Sequence, residues 1–178
     1  MGFEPLSKQV LYQGRKVSLE LLTLEDENGH RVVKEVCRHP GAVCVLPFLD
    51  EQTIVMVRNR RWPLDGRWLL ELPAGTLERG EEPINCAGRE LIEETGYTAG
   101  RLKSMGSFFS SPGILSERMY AYAAYDLERG KVSPDEGEEI ELMPVTWDDA
   151  MEMVGLNEIR DGKTIATLLL YDRFHRAR

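Results

Sequence analysis

The chain has 178 residues, of which 42% are hydrophobic and 29% are charged, and its formal net charge is -8. This composition is typical of one soluble globular domain with room for a small extra lobe, and the acidic balance argues against non-specific binding to nucleic acid. No apolar run approaches the roughly 20 residues of a membrane-spanning helix, and the first residues lack the pattern of a secretory signal. We therefore expect a cytoplasmic protein with neither a nucleic-acid nor a membrane partner.

Three cysteines occur, Cys37, Cys44 and Cys86. Their number is odd and no CxxC pair is present, so neither a disulfide framework nor a zinc site is expected. Two of them lie in apolar stretches. The pattern predicts buried, reduced thiols in a cytoplasmic protein.

The first forty residues predict a small antiparallel lobe. The segments 17–24 and 31–37 have strand-like composition, and the Asn28-Gly29 pair between them is a strong hairpin signal. We place the domain boundary after this lobe, which gives an N-terminal β lobe at residues 1–40 and a main domain at residues 41–178.

The next segments predict two further strands, a loop and a helix. Two apolar runs, 42–49 and 52–58, predict a buried hairpin, and 68–72 predicts a short strand. The proline and glycine content of 73–80 predicts a loop. Residues 82–96 predict a helix that opens on a proline and closes on a glycine. Its apolar positions, expected to face the core, are Ile84, Ala87, Leu91 and Ile92.

The second half of the chain mixes strands with helices. We predict strands at 101–110, 117–125 and 140–145, and helices at 147–151 and from 161 or 162 to about 176. Strands and helices do not alternate regularly, which favours an α/β (α+β) sandwich with a mixed sheet.

Acidic residues concentrate in the predicted helix and the loop before it. Glu90, Glu93 and Glu94 share one helix face, since Glu94 lies about 40° and Glu93 about 60° from Glu90 around the axis. Like charges at this spacing weaken a helix, and anions near its C-terminal end oppose the helix dipole. Divalent cations with oxygen ligands would offset both effects, although a solvated acidic face also explains the cluster.

The spacing around this cluster is specific. The segment reads Gly75-x5-Glu81-x7-Arg89-Glu90-Leu91-x-Glu93-Glu94-x-Gly96-Tyr97. It resembles the signature of the Nudix hydrolases, with Tyr97 standing where an aliphatic residue is usual. The resemblance implies a Nudix α/β/α sandwich that holds two or more Mg²⁺ or Mn²⁺ ions and hydrolyses a diphosphate bond. The implied metal ligands are Glu90, Glu94, Glu93 and the carbonyl oxygen of Ala74.

The resemblance also implies catalytic roles. Glu93 is a further ligand or base, Arg89 holds the acids in place, and Glu81 orients the network. A glutamate on a late loop is expected to act as base or additional ligand. Glu138 fits the family spacing best, with Glu136 and Glu139 as neighbouring alternatives and a solvated acidic loop as the plain explanation.

Features outside the motif are similar to the ADP-ribose pyrophosphatase branch. The segment Glu71-Leu72-Pro73-Ala74 precedes the motif, Pro112 follows Gly96 by sixteen residues, and Glu117 comes soon after. The substrate-binding residues that this likeness implies are Arg61, Glu71, Pro112 and Glu117. An ordinary β-turn also explains the Pro112 region, and surface solubility also explains an arginine at position 61.

This likeness implies hydrolysis of ADP-ribose or a related nucleoside diphosphate sugar to a nucleoside monophosphate and a sugar phosphate. It also implies a homodimer through the N-terminal lobe. Two alternatives remain open. One is a Nudix hydrolase for GDP-mannose, NADH or another nucleotide derivative, because one scaffold hosts many substrates. The other is a Nudix-like ligand sensor without turnover, although no acid of the motif is missing.

Overall fold

A computed structural model describes residues 2–130 and 139–176. Glu136 and Glu138, the first two candidates for the loop base, lie outside the described residues. The chain divides into two compact units. Unit 1 comprises Met1–Gly41 and Phe109–Arg118, and unit 2 comprises Ala42–Phe108 and Met119–Arg178.

Unit 1 is built on a three-stranded antiparallel sheet. Its strands are β1 (Glu4–Gln13), β2 (Ser18–Glu25) and β3 (Arg31–Arg38), in the order β1-β2-β3. The turn between β2 and β3 forms at the predicted Asn28-Gly29, where Gly29 has a φ of 79° that favours glycine. Both flanking strands therefore form where the sequence predicts them.

Unit 2 contains two sheets. Its strands are β4 (Ala42–Pro47), β5 (Thr53–Arg61), β6 (Arg67–Glu71), β7 (Ala74–Thr76), β8 (Tyr97–Phe109), β9 (Arg118–Arg129) and β10 (Ile140–Thr146). One sheet has the order β10-β5-β6 and is antiparallel. The other has the order β7-β4-β9-β8, in which β4 and β9 are parallel, so this sheet is mixed.

The hairpin predicted for β4 and β5 is wrong. The two strands lie in different sheets, and one isolated bridge joins Phe48, the residue after β4, to Ile54 of β5. Strand β4 is fully buried and β5 is largely buried. Strand β4 pairs with β7 and β9, and β5 pairs with β6 and β10. Apolar composition shows that a strand is buried but does not identify its neighbour.

Strand β4 divides the core of unit 2. Its side chains alternate, so that Cys44 and Leu46 join the larger cluster with Leu168 of the last helix. Val43 and Val45 join a second cluster, with Leu91 of the motif helix. Helices therefore cover opposite faces of the β4 sheet. The α/β/α sandwich with a mixed sheet is confirmed.

Helix α1 (Pro83–Thr95) begins and ends as predicted, with proline in its first turn and Gly96 in the left-handed region at its end. Its buried face is not the predicted one, however. Ala87 and Leu91 are buried, but Ile84 and Ile92 are 47% and 39% exposed. The buried side instead includes Glu94, because a polar contact of that residue, described below, sets the rotation of the helix.

The prediction of a loop at 73–80 is also partly wrong. Ala74–Thr76 forms the short strand β7, which pairs with β4. Two more helices complete the fold, α2 (Trp147–Gly155) and α3 (Gly162–Phe174). Each is capped by the side chain before it, since Thr146 accepts from the Asp149 amide and Asp161 accepts from the Thr164 amide.

The three thiols are free, with Cys44 and Cys86 buried and Cys37 partly exposed. Burial raises the pKa of Cys44 to about 12, so this thiol stays protonated at neutral pH. No helix among residues 2–130 and 139–176 is both long enough and apolar enough to cross a membrane. The cytoplasmic location inferred from the cysteines stays a prediction.

Candidate active site

One guanidinium group ties together the acids of the motif. Nη1 of Arg89 donates to Glu90 at 2.7 Å and to Glu93 at 2.8 Å. Nε and Nη2 of Arg89 donate to the two carboxylate oxygens of Glu81, each at 3.0 Å. The planar fork of arginine suits this arrangement, since it presents several donors in fixed directions. Four residues that the sequence assigned to one site are thus brought together.

Glu94 is held from a different side. Its Oε2 accepts a hydrogen bond from the Ala74 amide at 3.0 Å, and the residue is only 2% exposed. A buried carboxylate needs such donors. This contact joins helix α1 to strand β7 and places the Ala74 backbone, a predicted metal ligand, beside Glu94.

Gly75 lies directly under the carboxylate of Glu90. A Cβ atom added to Gly75 would overlap the carboxyl carbon and both oxygens of Glu90. The backbone φ of Gly75 is not in the left-handed region, so conformational freedom does not explain this glycine. The motif requires glycine here because the Glu90 carboxylate occupies the space that any side chain would fill.

The contacts within the site stabilise the charged forms of Glu81 and Arg89. The hydrogen bonds from Arg89 lower the pKa of Glu81 to about 2, and the same bonds raise the pKa of Arg89 above its ordinary value. Sγ of Cys86 lies 3.3 Å from Nη2 of Arg89. Burial raises the pKa of this thiol, so it adds no further negative charge at neutral pH.

The donor set suits a hard divalent cation. Three carboxylates and a backbone carbonyl are oxygen ligands, which Mg²⁺ and Mn²⁺ prefer. In the part of the chain that the structure describes, no three His, Cys, Asp or Glu side chains already form a chelating group, and Arg89 bonds Glu90 and Glu93 directly. Because Gly75 has no side chain, the Glu90 carboxylate fits beside its backbone, where it would serve as one of these oxygen ligands.

A second charged cluster adjoins the motif. Arg61, at the end of β5, donates from Nε and Nη2 to Glu71 at 2.7 and 2.5 Å. Nζ of Lys163 bridges Glu71 and Asp161 at 2.5 and 2.9 Å. The negative charge of Glu94 also contributes to the raised pKa of Arg61, after the larger effect of its hydrogen bond with Glu71. This cluster therefore lies within electrostatic range of the motif.

The other two arginines of β5, Arg58 and Arg60, form ion pairs outside this cluster. Arg58 pairs with Glu141 at 2.9 Å and lies over the ring of Trp68. Arg60 pairs with Glu139 at 3.0 Å and lies over Trp62. Both indole rings are exposed, so neither fills the core.

Pro112 and Glu117 belong to unit 1 and are described within that unit. Pro112 follows Ser111, whose carbonyl accepts hydrogen bonds from the Ile114 and Leu115 amides, so the segment is a turn. The carboxylate of Glu117 lies 3.5 Å from Nδ1 of His39. Burial lowers the pKa of His39 despite this neighbour.

Within the cluster around Glu71, Asp161 and Lys163 are the two charged residues that the sequence did not single out. The segment 161–164 was interpreted only as a helix start. Lys163 lies 92 positions from Glu71, so no local spacing links the two residues. The one available signal was a lysine in the first turn of a helix, where the dipole disfavours a cation.

The Glu81–Arg89 contact predicts a pH-dependent contribution to stability. The pKa of Glu81 in the folded state, about 2, is below its ordinary 4.5. The contact therefore stabilises the fold fully above pH 4.5, and this stabilisation is lost as the pH falls towards 2. We expect E81Q to have a lower free energy of unfolding than the parent protein at neutral pH. The difference between the two free energies should shrink as the pH falls from 4.5 towards 2.

Urea unfolding at several pH values, in EDTA, measures this margin. E78Q is the control, because Glu78 is exposed on the same loop and its substitution removes the same charge. A constant difference between E81Q and the parent protein down to pH 2.5 would contradict the prediction.

Comparisons with known proteins agree with this geometry. A family model described as the NUDIX domain matches residues 38–168. The chain is 42% identical over 161 residues to an ADP-ribose pyrophosphatase of Bacillus subtilis (strain 168), covering 89% of this chain and 86% of the relative. It is 38% identical over 162 residues to a methanol dehydrogenase activator of Bacillus methanolicus, covering 90% and 87%.

A GDP-mannose pyrophosphatase of Salmonella typhimurium is 37% identical over 151 residues, covering 75% of this chain and 78% of the relative. Among solved structures, an ADP compounds hydrolase superimposes with a TM-score of 0.84 at 22% identity, covering 98% of this chain and 94% of the other, which supports the fold. The chain therefore belongs to the Nudix family, as the motif predicts, and is an enzyme of the Nudix pyrophosphohydrolase type.

Proposed function

We propose that this protein hydrolyses the diphosphate bond of ADP-ribose or a related nucleoside diphosphate sugar, giving a nucleoside monophosphate and a sugar phosphate. The observation that carries the proposal is the Arg89 network, which holds Glu81, Glu90 and Glu93 together beside the buried Glu94. The similarity to an ADP-ribose pyrophosphatase over most of the chain supports this substrate class.

In this proposal Mg²⁺ or Mn²⁺ is required, with two or more ions in the site. Glu90, Glu93, Glu94 and the carbonyl of Ala74 would hold the ions. Bound ions would neutralise the diphosphate and lower the pKa of a coordinated water. The chain carries a net charge of -8, so cations also remove the repulsion that an anionic substrate would meet.

The protein's own groups position the substrate and the acids. Arg89 fixes the orientation of the carboxylates, and Glu81 in turn fixes Arg89 through two hydrogen bonds. Arg61 is partly exposed, and its bonds to Glu71 use Nε and Nη2, so Nη1 is the nitrogen that would contact a phosphate oxygen. Glu71 is 1% exposed and bonded to Arg61, so its part in substrate binding is to orient that arginine.

The remaining roles are proposals from the resemblance. Glu138 is proposed as the loop base, and it lies outside the described residues. Among its alternatives, Glu139 is described and pairs with Arg60. Pro112 and Glu117 are proposed to contact the substrate.

GDP-mannose is a second candidate substrate, because GDP-mannose pyrophosphatases are similar to this chain. A panel of ADP-ribose, GDP-mannose and NADH, each with Mg²⁺ and with Mn²⁺, separates the candidates by their nucleotide products. We expect ADP-ribose to give the highest kcat/KM. Turnover of none of these compounds would refute the proposed substrate class.

The same assay tests the motif carboxylates. We expect E93Q and E94Q to lose at least about 100-fold in metal-dependent turnover, since each weakens cation binding at the reacting phosphate. E78Q, at an exposed position outside the network, should keep the parent activity. Unchanged turnover in both E93Q and E94Q would overturn the assignment of these residues.

Gly75 provides a steric test. We expect G75A to lose about 100-fold or more in kcat/KM, because the added methyl displaces the Glu90 carboxylate, and a displacement of about 1 Å can cost this much. G88A is the matched control on helix α1. Its added Cβ would meet only Leu102, at an ordinary 3.8 Å, so it should retain activity and gain roughly 0.5–1 kcal/mol of stability. Equal activity of the two variants would contradict the steric explanation.

We also propose that the protein is a homodimer through the N-terminal β lobe. A small sheet needs a packed hydrophobic face to be stable, and every residue of β1 is exposed. Tyr12 pairs with Leu19 in the sheet register, and Val33 lies on the same face. All three are exposed hydrophobic residues, which is typical of an interaction surface.

Light scattering tests the dimer. We expect the parent protein to have twice the mass of one chain and L19K/V33K to have the mass of one chain, because two lysines would leave this apolar face charged. E27K/N28K, which adds two lysines at the exposed turn of the same lobe, should remain dimeric. A dimer that persists in L19K/V33K would exclude this face as the interface.

A further inference from the structure

Lys163 lies in the first turn of helix α3, yet its ammonium group is turned into a cluster of opposite charges. Nζ donates to Glu71 at 2.5 Å and to Asp161 at 2.9 Å, and its side chain is largely buried. Burial alone would lower the pKa of Lys163, but the charges of Glu71 and Asp161 outweigh it and raise the pKa. Lys163 is therefore a positively charged residue that Glu71 and Asp161 hold in the cluster next to Arg61.

The carboxylate of Glu71 is shared between two cations. Its Oε1 accepts from Nε of Arg61, and its Oε2 accepts from both Nη2 of Arg61 and Nζ of Lys163. With Arg61 as its only partner, Glu71 would cancel the arginine's charge. The second cation neutralises part of Glu71, which leaves Arg61 with positive charge to offer to another anion.

Asp161 prevents Lys163 from becoming an unbalanced buried charge. Its Oδ2 accepts from Lys163 and also from the amide and hydroxyl of Thr164, at 3.0 and 2.6 Å. Because Asp161 is also the N-cap of α3, the helix dipole stabilises its negative charge. The bonds from Thr164 and the helix dipole therefore stabilise the negative charge of Asp161, so this charge does not cancel the whole positive charge of Lys163.

The arrangement is anchored to the sheet. Oγ1 of the fully buried Thr164 accepts a hydrogen bond from the Leu72 amide at 2.8 Å. This bond fixes the start of α3 against the residue that follows Glu71. Of the two cations that share the Glu71 carboxylate, Arg61 is the more exposed, at 33% against 17% for Lys163, and Glu94 contributes to the electrostatic environment of Arg61. The guanidinium thus forms the outer end of the cluster.

We propose that Lys163 is a positioning residue for phosphate recognition. It acts through Glu71 to keep positive charge on Arg61 available for the diphosphate oxygens of the substrate, and Asp161 holds it in place. This inference rests on the proposed role of Arg61 as a phosphate contact, and it extends the site to residues of α3 that lie outside the motif.

The test is binding of inorganic diphosphate in Mg²⁺, measured by titration calorimetry, so that turnover is not required. We expect K163M to raise the Kd about tenfold, which is the order expected when a partly buried unit charge is removed near an anion. R61M should raise the Kd at least as much. K163R keeps the cation and should bind diphosphate within about threefold of the parent protein, by the same reasoning.

A charge-balance variant separates this role from a structural one. K163M/E71Q removes one positive and one negative charge, so the net charge of the cluster returns to that of the parent protein. We expect the double variant to bind diphosphate more tightly than K163M. If Lys163 only supported the fold, K163M/E71Q would bind diphosphate no more tightly than K163M. This result would overturn the proposal.

Unfolding by urea identifies variants that do not fold. If K163M is one of them, K163Q takes its place, because glutamine removes the charge but keeps a hydrogen-bond donor for Glu71, and the Kd should again rise about tenfold. A Kd of K163Q equal to that of the parent protein would refute the proposal. A parent protein that binds no diphosphate would refute it too. Diphosphate binding without hydrolysis of any nucleoside diphosphate sugar would instead refute the proposed function and leave the Lys163 comparison intact.

Discussion

Carboxylates crowded onto one end of a helix repel each other, and the rest of this site depends on how that repulsion is offset. Arg89 offsets it from within the helix by bonding Glu81, Glu90 and Glu93 with one guanidinium group. The backbone offsets it from the adjacent strand, where the Ala74 amide bonds Glu94. The acids are therefore held in fixed places by the protein alone, and cations would bind to carboxylates that are already oriented.

The segment Glu71–Gly75 connects this network to the second charged cluster, and each of its residues has a separate physical role. Glu71 binds Arg61 and Lys163, and the Leu72 amide bonds Thr164. The Pro73 carbonyl accepts from the Val45 amide, which fixes the segment to the central strand. The Ala74 amide bonds Glu94, and Gly75 leaves room for Glu90. Five consecutive residues thus link Arg61 and Lys163 to the motif acids.

Errors in the sequence-based prediction of the fold have a common cause. The hairpin expected from β4 and β5 does not form, because β4 pairs with β7 and β9 whereas β5 pairs with β6 and β10. The helix face expected to contain Ile84 and Ile92 is rotated, because the bond from Ala74 draws Glu94 inwards. Hydrophobic pattern predicts that a segment is buried, but a single polar contact with a distant residue can decide which side is buried.

The sequence by itself determined the family, the layered fold class and the acidic motif, because the motif is local. Its acids and arginine lie within one loop and one helix, where spacing along the chain fixes spacing in three dimensions. It also placed the start and end of α1 at Pro83 and Gly96. Only the tertiary structure decided that Lys163, held by Asp161, bonds the same carboxylate of Glu71 as Arg61. Lys163 and Glu71 are 92 positions apart, and they meet only because α3, which packs against β4, begins beside Leu72, the residue after β6.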